Sequence, residues 1–517
     1  MSPSIYPAGM LLCMILKTYL LNYPDGTTIS LTDSIPLFAV LFKLFRGILP
    51  EGFNYFGIFI LFNYFFQAVS ALVLAVSLNR KNYIATLGFV MFALSAPPVS
   101  LFVGYEESLT CQGLLLMAIS GYFFSFNNKL NLRSGHLFFG TLLILSLLIH
   151  PYLTAMIYPF YLLSLWQIKK QNDPSWQRFI MAVISLHLLI LLEFFIFGLA
   201  SGTNAASQFG AQSVNLIQPF SGGLFTFNPI TRVYPDIAEN VAYLGLGLMF
   251  AIVLALFMQA KNLTVYYKKH KGLSVVFGLF VFISVYGDVW FGSHHLFTLK
   301  APSFFLTNDF RTNERFIWPA WYLAMAFAIA TLSKDWRQKA ILWFIPILIA
   351  IQLMDVSNYF IRLKHNLDHD YTPKLFVAPY YTMMHSLMSS TKPTPDYEQV
   401  RSLIRQSKIV IFYPTPKQPS SQNLITSYKM VYFVLGEIQL LTAMEGVPIN
   451  NAYIAHYSKK LSTDEADDFT NLNPKLLVSP ADMLSPTIKR LLVNHPDDCH
   501  EWNAIYYCRY ASPSSAE

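Results

Sequence analysis

The stretch LTNDFRTNERFIWPAWYLAM, residues 306–325, places Arg311 and Arg315 directly before an apolar, aromatic run. Residues four apart share one face of a helix. Because a guanidinium can bind two phosphate oxygens at once, this pair, with Lys300 close by in sequence, predicts a site for a phosphate-bearing lipid ligand. A single cation at the end of a membrane helix can instead extend to the interface, and Glu314 can pair with either arginine.

Acids that could serve such a ligand occur at three positions, Asp33 in TDSIP and Glu106 and Glu107 in VGYEESLT. A carboxylate beside a bound phosphate can accept the proton of an attacking hydroxyl, or hold a divalent cation such as Mg²⁺ or Mn²⁺ through its oxygens. The sequence does not show whether any of these acids is a proton acceptor or a cation ligand. Asp33 is also a good helix N-cap, and the two glutamates are also typical of a solvated loop.

The elements that carry these residues are those of a multipass membrane protein. The chain has 517 residues, of which 54% are hydrophobic and only 13% charged, against about a quarter charged in soluble domains. No removable signal peptide is expected, and the formal charge of +7 needs no nucleic acid to explain it. Apolar runs that could cross a bilayer, about ten in all, lie at 51–78, 82–98, 108–126, 135–149, 151–168, 179–200, 241–260, 272–289, 315–332 and 340–357.

Cations in alternate connections give the predicted orientation. Every second connection is basic and is therefore predicted to be cytoplasmic. The basic residues concerned are Arg80, Lys81, Lys129, Arg133, Lys169, Lys170, Arg178, Lys261, Lys268, Lys269, Lys271, Lys334, Arg337 and Lys339. The other connections then face outward, which brings the three acids and the 290–315 segment to one membrane face.

Three regions follow from this pattern. Residues 1–50 are predicted to form an outward-facing segment with interfacial helices, 51–357 the transmembrane core, and 358–517 an extracytoplasmic α/β domain. In the last region KIVIFY and KLLVSP are typical of strands, and SYKMVYFVLGEIQLLTAM is typical of a helix. Cys499 and Cys508 could form a disulfide there, although their spacing alone does not decide it.

Several segments resemble a bacterial family of large multipass membrane proteins catalogued as a domain of unknown function, family 6311. They are YPDGTTISLTDSIPLFAVLFKLF, LLIHPYLTAMIYP, ENVAYLGLGLMF and DFRTNERFIWPAWYLAM. The family form FRxxGRFxWP implies that Arg311 and Arg315 hold a donor phosphate, and here Glu314 replaces its glycine. The same resemblance carries over Asp33 as the TDSIP acid, and His150, Tyr152 and Trp318 as residues lining the substrate.

His150 and Trp318 also have simpler interpretations. His150 precedes Pro151, where a helix break is expected, and could cap that turn. Trp318 could belong to an aromatic belt at the interface.

In layout the family is similar to the GT-C membrane glycosyltransferases. This resemblance implies sugar transfer from a polyprenyl-phosphate donor at the outer face of the bacterial inner membrane to a glycan or protein acceptor. GT-C enzymes begin with a full membrane helix and an acidic loop, so residues 1–22 suggest either a truncated start or a degenerate copy of such an enzyme.

Two other classes of function compete with the enzyme. A transporter or flippase of lipid-linked saccharides would need a polar path, and the apolar runs hold few charges, chiefly Glu193 and Asp288, with Asp355 near the end of the last run. A non-catalytic membrane scaffold is the third possibility.

Overall fold

The computed structural model describes the following residues: 17–24, 26–28, 34–50, 53–79, 82–103, 106–172, 174–197, 213–226, 241–299, 310, 312–333, 343–368, 397–413, 438–439, 441–450, 472–480, 484–502 and 505–510. They are mostly helical and form two compact units. The larger unit draws on residues 33–195 and 204–369, and the smaller on 1–32, 196–203 and 370–517.

The larger unit is a helical bundle. Among its described residues the first helices are α1 Pro36–Lys43, α2 Phe56–Ser77, α3 Tyr83–Leu94, α4 Pro97–Leu101, α5 Gly113–Phe126, α6 Leu132–Leu147, α7 Pro151–Asn172 and α8 Trp176–Ile196. They are followed by α9 Leu246–Gln259, α10 Leu263–Lys269, α11 Lys271–Val285, α12 Trp318–Leu332, α13 Phe344–Asp355 and α14 Ser357–Asp368.

Several of these helices could span a membrane, as a membrane protein requires. The stretches with sufficient length and apolar composition among the described residues are Phe56–Ser77, Glu107–Phe126, Trp176–Ile196, Leu246–Lys269 and Asn313–Leu332. Shorter apolar helices are Tyr83–Leu94, Leu132–Leu147, Lys271–Val285 and Phe344–Asp355. The larger count of about ten spans stays a prediction.

Helix α2 buries polar side chains and exposes apolar ones. Its Asn63 and Gln67 are buried, whereas Leu61 and Phe65 on the other faces are more than two-thirds exposed. The Gln67 amide donates to the hydroxyl of Tyr322 on α12 at 3.0 Å. Polar side chains that face neighbouring helices and apolar ones that face outward are the arrangement expected in lipid.

Close helix contact depends on Gly247 in the GLGLMF motif. Helix α9 packs against α12 and α13, and a Cβ at Gly247 would overlap the carbonyl oxygen of Leu348 on α13. The small residue therefore lets the two backbones approach, as small residues do between membrane helices.

One apolar run from the sequence contains two kinds of element. The run 272–289 is helical only through α11, which ends at Val285, and strand β3 follows. Strands β3 Asp288–Phe291 and β4 His294–Thr298 then form an antiparallel hairpin, with Gly292 at a φ of 58° in its turn. Asp288 consequently lies in a strand, where Thr298 donates to its carboxylate at 2.5 Å.

The smaller unit is α/β, as KIVIFY and KLLVSP predicted. Helices α15 Tyr397–Arg405 and α16 Pro486–Asn494 accompany a sheet of β5 Ile409–Phe412, β6 Lys475–Pro480, β7 Cys499–Trp502 and β8 Ile505–Tyr510. The strand order is β5-β6-β8-β7, in which β5 and β6 are parallel and the other pairs antiparallel. Cys499 and Cys508 lie directly opposite each other on β7 and β8 and form a disulfide.

An N-terminal segment belongs to this smaller unit. Lys17–Thr18 pairs with Thr27–Thr28 as a short ribbon. The backbone N–H of Tyr23 donates to the carbonyl of Ile449 at 3.0 Å, and Ile449 in turn donates to the carbonyl of Leu20 at 2.8 Å. The chain thus joins its beginning to the C-terminal domain through backbone hydrogen bonds.

Candidate functional site

Residues 312–317 form a buried turn that leads into α12. A 3₁₀ turn, Asn313–Ile317, runs directly into the helix, and Pro319 occupies the first helical turn, where its missing N–H leaves no bond unmade. The Asn313 amide donates to the carbonyls of Ile283 and Tyr286 at 2.9 and 2.6 Å. These carbonyls lie at the end of α11, where the last carbonyls of a helix lack i+4 partners, and the Tyr286 N–H donates to that of Ile283 at 3.2 Å. Asn313 therefore fixes the turn against a neighbouring helix.

Arg315 is the buried cation of the site. Its Nη2 lies 2.5 Å from Oε2 of Glu106, and the two side chains are 6% and 22% exposed. The guanidinium carbon also lies 5.4 Å from the ring centres of both Phe102 and Tyr152. Aromatic faces attract a cation, and this attraction grows when water is excluded. The contacts of the cation thus include one carboxylate and two aromatic rings.

Tyr152 connects the HPY turn to this arginine. Its hydroxyl accepts a hydrogen bond from the Thr312 backbone N–H at 2.8 Å. Its ring stacks edge-on against Phe310 at 4.8 Å and lies 5.6 Å from Phe316. The structure therefore places two of the sequence motifs, HPY and NERFIWP, in direct contact.

His150 caps a helix and Trp318 packs as a buried ring. The backbone N–H of Tyr152 donates to Nδ1 of His150 at 3.2 Å, so His150 caps the first turn of α7. Trp318 is fully buried, with its ring edge-on to Phe102 at 5.6 Å. The interfacial-belt interpretation of Trp318 is therefore wrong, because a belt residue must reach the surface. Each of them packs against one of the two rings that face Arg315: His150 against Tyr152 and Trp318 against Phe102.

The two adjacent glutamates occupy different environments. Glu106 forms the ion pair with Arg315, and its backbone N–H donates to the carbonyl of Phe102 at 3.0 Å. Glu107 begins the 3₁₀ turn Glu107–Thr110, in which the Thr110 hydroxyl donates to the Glu107 carbonyl at 2.7 Å. Both glutamates remain partly exposed. The remaining candidates, Asp33, Lys300 and Arg311, lie outside the described residues.

Glu314, at the position where the resemblance leads us to expect glycine, is almost completely buried. The Gln218 amide donates to its Oε2 at 3.4 Å, and Gln218 is itself buried. The larger side chain is thus accommodated beside a polar partner from another segment. Gln218 carried no signal in the sequence, and neither did Phe102 or Asn313, because each is an ordinary residue for a turn or a membrane helix.

A second polar cluster surrounds the buried Asp355. Its carboxylate accepts hydrogen bonds from the backbone N–H groups of Leu246 at 2.9 Å and Phe225 at 3.1 Å, and from the Tyr243 hydroxyl. Leu246 begins α9, whose first N–H groups lack helical partners. Asp355 is therefore a satisfied cap for that helix, which accounts for an acid inside an apolar run.

No described residues form a ready metal site. Groups of three or more His, Cys, Asp or Glu that could hold an ion do not occur in the part of the chain that the structure describes. The divalent cation therefore stays a prediction, and no chemical step is derived through it.

The residues that meet at Arg315 lie in a region of the chain that matches a family model. A family model described as "Domain of unknown function (DUF6311)" matches residues 11–357. The chain belongs to the DUF6311 family. The match ends at residue 357, where α14 begins, so the DUF6311 region includes Arg315, Glu106 and the HPY turn but not the C-terminal sheet. No curated protein and no solved structure matches the chain.

Proposed function

We propose that this DUF6311 protein is a membrane glycosyltransferase that transfers a sugar from a polyprenyl-phosphate donor to a cell-envelope acceptor. The observation that carries the proposal is the buried guanidinium of Arg315, paired with Glu106 at 2.5 Å and enclosed by two aromatic rings. Burying a cation in such an environment costs free energy unless close partners of opposite charge offset the lost hydration. A phosphate that gains charge as its bond breaks is a partner suited to it.

The reaction would proceed by displacement at the anomeric carbon. The bond from that carbon to the donor phosphate oxygen breaks as the acceptor hydroxyl oxygen bonds to the same carbon. The polyprenyl phosphate leaves with one additional negative charge, which Arg315 would neutralise together with Arg311 and Lys300. Stabilising charge that develops only in the transition state is what raises the rate.

The hydroxyl proton must pass to a base. Glu106 is assigned a positioning role, because its carboxylate oxygen is already in contact with Arg315. Asp33 and Glu107 are then the candidates to accept the proton, and a carboxylate in either position is chemically competent.

We further propose that the site faces the periplasm from the bacterial inner membrane. The support is the alternation of basic connections in the sequence, which predicts that the intervening connections, and with them the NERFIWP turn, face outward. The Cys499–Cys508 disulfide is consistent with a C-terminal domain in an oxidising compartment.

The test uses the full chain in lipid nanodiscs with a panel of polyprenyl-phosphate hexoses and pentoses. Release of polyprenyl phosphate is followed by mass spectrometry, with and without Mg²⁺ or Mn²⁺ and with an envelope extract as the acceptor source. We expect Arg315→Lys to lower release at least tenfold, since lysine keeps the charge but loses the planar fork. Arg46→Lys, an exposed cation after α1, is the matched control.

Two results would overturn the proposal. One is full activity in a folded Arg315→Lys protein. The other is movement of the labelled donor across a vesicle bilayer while its sugar-phosphate bond stays intact, which would identify a transporter.

A further inference from the structure

A basic groove lies at the end of the bundle that carries the cation-rich connections. It has a volume of about 550 Å³ and lies between the start of α6, the end of α7 and the start of α8. Its lining residues are Asn131, Leu132, Arg133, His136, Asn172, Pro174, Arg178 and Ala182. It is separate from the Arg315 site and was not singled out by the sequence motifs.

The groove is positively charged. Arg133 and Arg178 line it, both are exposed, and no described carboxylate forms an ion pair with either. In sequence the connections 127–133 and 169–178 contain Lys129, Arg133, Lys169, Lys170 and Arg178 against the single acid Asp173, which lies outside the described residues. A ligand that fits here is therefore an anion.

A histidine that lines the groove has a ring nitrogen without a partner among the described residues. This nitrogen, Nδ1 of His136, is buried. In the tautomer that carries its proton on Nδ1, His136 can donate to a phosphate diester oxygen, and buried polar atoms normally have such a partner.

The groove is continuous with a surface suited to acyl chains. Helix α8 is apolar, and only 11% of the stretch that could span a membrane is buried. Leu137 on α6 and Met181 on α8, each adjacent in sequence to a lining residue, are both 61% exposed. Trp176, with the Lys169 ammonium 4.6 Å from its ring, lies at the same end. An occupant would thus meet charge at one end and hydrocarbon-like surface along the helix.

We infer that this groove binds an anionic phospholipid of the cytoplasmic leaflet, with its phosphate between Arg133, Arg178 and His136 and its chains along α8. A basic pocket between helices on the cytoplasmic side is a suitable site for an anionic head group. A zwitterionic lipid would gain less, because its own cation would face the two arginines.

The experiment titrates the delipidated full chain with phosphatidylglycerol or phosphatidylcholine of the same acyl chains and counts bound lipids by native mass spectrometry. We expect wild-type protein to prefer phosphatidylglycerol. Arg133→Gln and Arg178→Gln should each weaken its binding about fivefold, and the double variant about 25-fold, because a juxtamembrane arginine contributes about that factor. Ala182→Leu, which fills the groove without changing charge, should also weaken it.

The matched control removes two cations elsewhere on the same face. Lys261→Gln with Lys268→Gln leaves the groove intact, and both lysines are exposed. Equal loss of phosphatidylglycerol in this control would mean diffuse surface attraction and would overturn the inference. Displacement of the lipid by inorganic phosphate or glycerophosphoglycerol at equal concentration would point to a soluble anion instead and would also overturn it.

Discussion

The Tyr152 hydroxyl accepts a hydrogen bond from the Thr312 backbone N–H at 2.8 Å, which links two motifs that are far apart in the sequence. Tyr152 is the tyrosine of the HPY turn and lies in the first turn of α7, and Thr312 precedes the turn that leads into α12. Because the Tyr152 ring also lies 5.4 Å from the Arg315 guanidinium, one side chain both supports the turn and faces its cation. The position of Arg315 should therefore depend on α7.

Removing only that hydroxyl tests this dependence. We expect Tyr152→Phe to lower the free energy of unfolding by about 1–3 kcal/mol, because the Thr312 N–H is left without this acceptor while the ring stays. Thermal unfolding of the detergent-solubilised protein measures the change. Tyr161→Phe on α7 is the control, since the Tyr161 hydroxyl is buried with no hydrogen-bond partner among the described residues. Equal losses in the two variants would contradict the bond's role.

The close contact between α9 and α13 predicts a difference between two helical glycines. Gly247→Ala should destabilise the protein by about 1–3 kcal/mol, because the new methyl group would overlap the backbone oxygen of Leu348, which cannot rotate away. Gly278→Ala on α11 meets nothing within 4 Å and should change stability by less than about 1 kcal/mol. The same unfolding assay compares them. A tolerated Gly247→Ala would mean that the helices separate easily.

Much of the bundle could be predicted from the sequence. Helices α2 and α13 lie within predicted apolar runs, and α7 begins at Pro151, where the chain was expected to break. The hairpin β3–β4 and the pairing of Tyr23 with Ile449 could not be predicted, because hydropathy records how apolar a segment is and not which distant segment it bonds.

The ion pair of the candidate site predicts non-additive substitutions. Arg315→Met or Glu106→Gln alone removes this ion pair and leaves one of its two charges in place, at a cost somewhat below the roughly 3–5 kcal/mol of a fully buried pair, because Glu106 is 22% exposed. The double variant should lose less than the sum of the two single losses, by about 0.5–3 kcal/mol. A double-mutant cycle of unfolding measurements provides the number. Strict additivity would show that the contact contributes nothing.

Residue types alone located this site only in part. The sequence predicted that Arg315 matters and offered Glu106 and Glu107 equally. Only the backbone around Phe102 shows which glutamate meets the guanidinium, since adjacent residues point in different directions. Phe102 gave no signal, because a phenylalanine in an apolar segment is unremarkable until a cation lies over its ring.

The C-terminal unit contains an acid that should control its stability at low pH. Glu445 accepts hydrogen bonds from Arg405 at 2.8 and 3.1 Å and also from Arg401, and these contacts lower its pKa from 4.5 to about 2. A carboxyl whose folded-state pKa is depressed stabilises the fold above its unfolded pKa, and this contribution disappears as the pH falls through the folded value. The loss should therefore occur between about pH 4.5 and pH 2.

Glu445→Gln should remove that part of the pH dependence. We expect its unfolding midpoint to be a few degrees below wild type at pH 7 and the two midpoints to converge as the pH approaches 2, as measured by scanning calorimetry of the full chain. Glu398→Gln is the control, because Glu398 is 65% exposed and lies 3.7 Å from the same Arg401. Since an exposed pair contributes little, this variant should follow wild type throughout. Parallel curves for Glu445→Gln and wild type down to pH 2.5 would show that Glu445 does not titrate with unfolding.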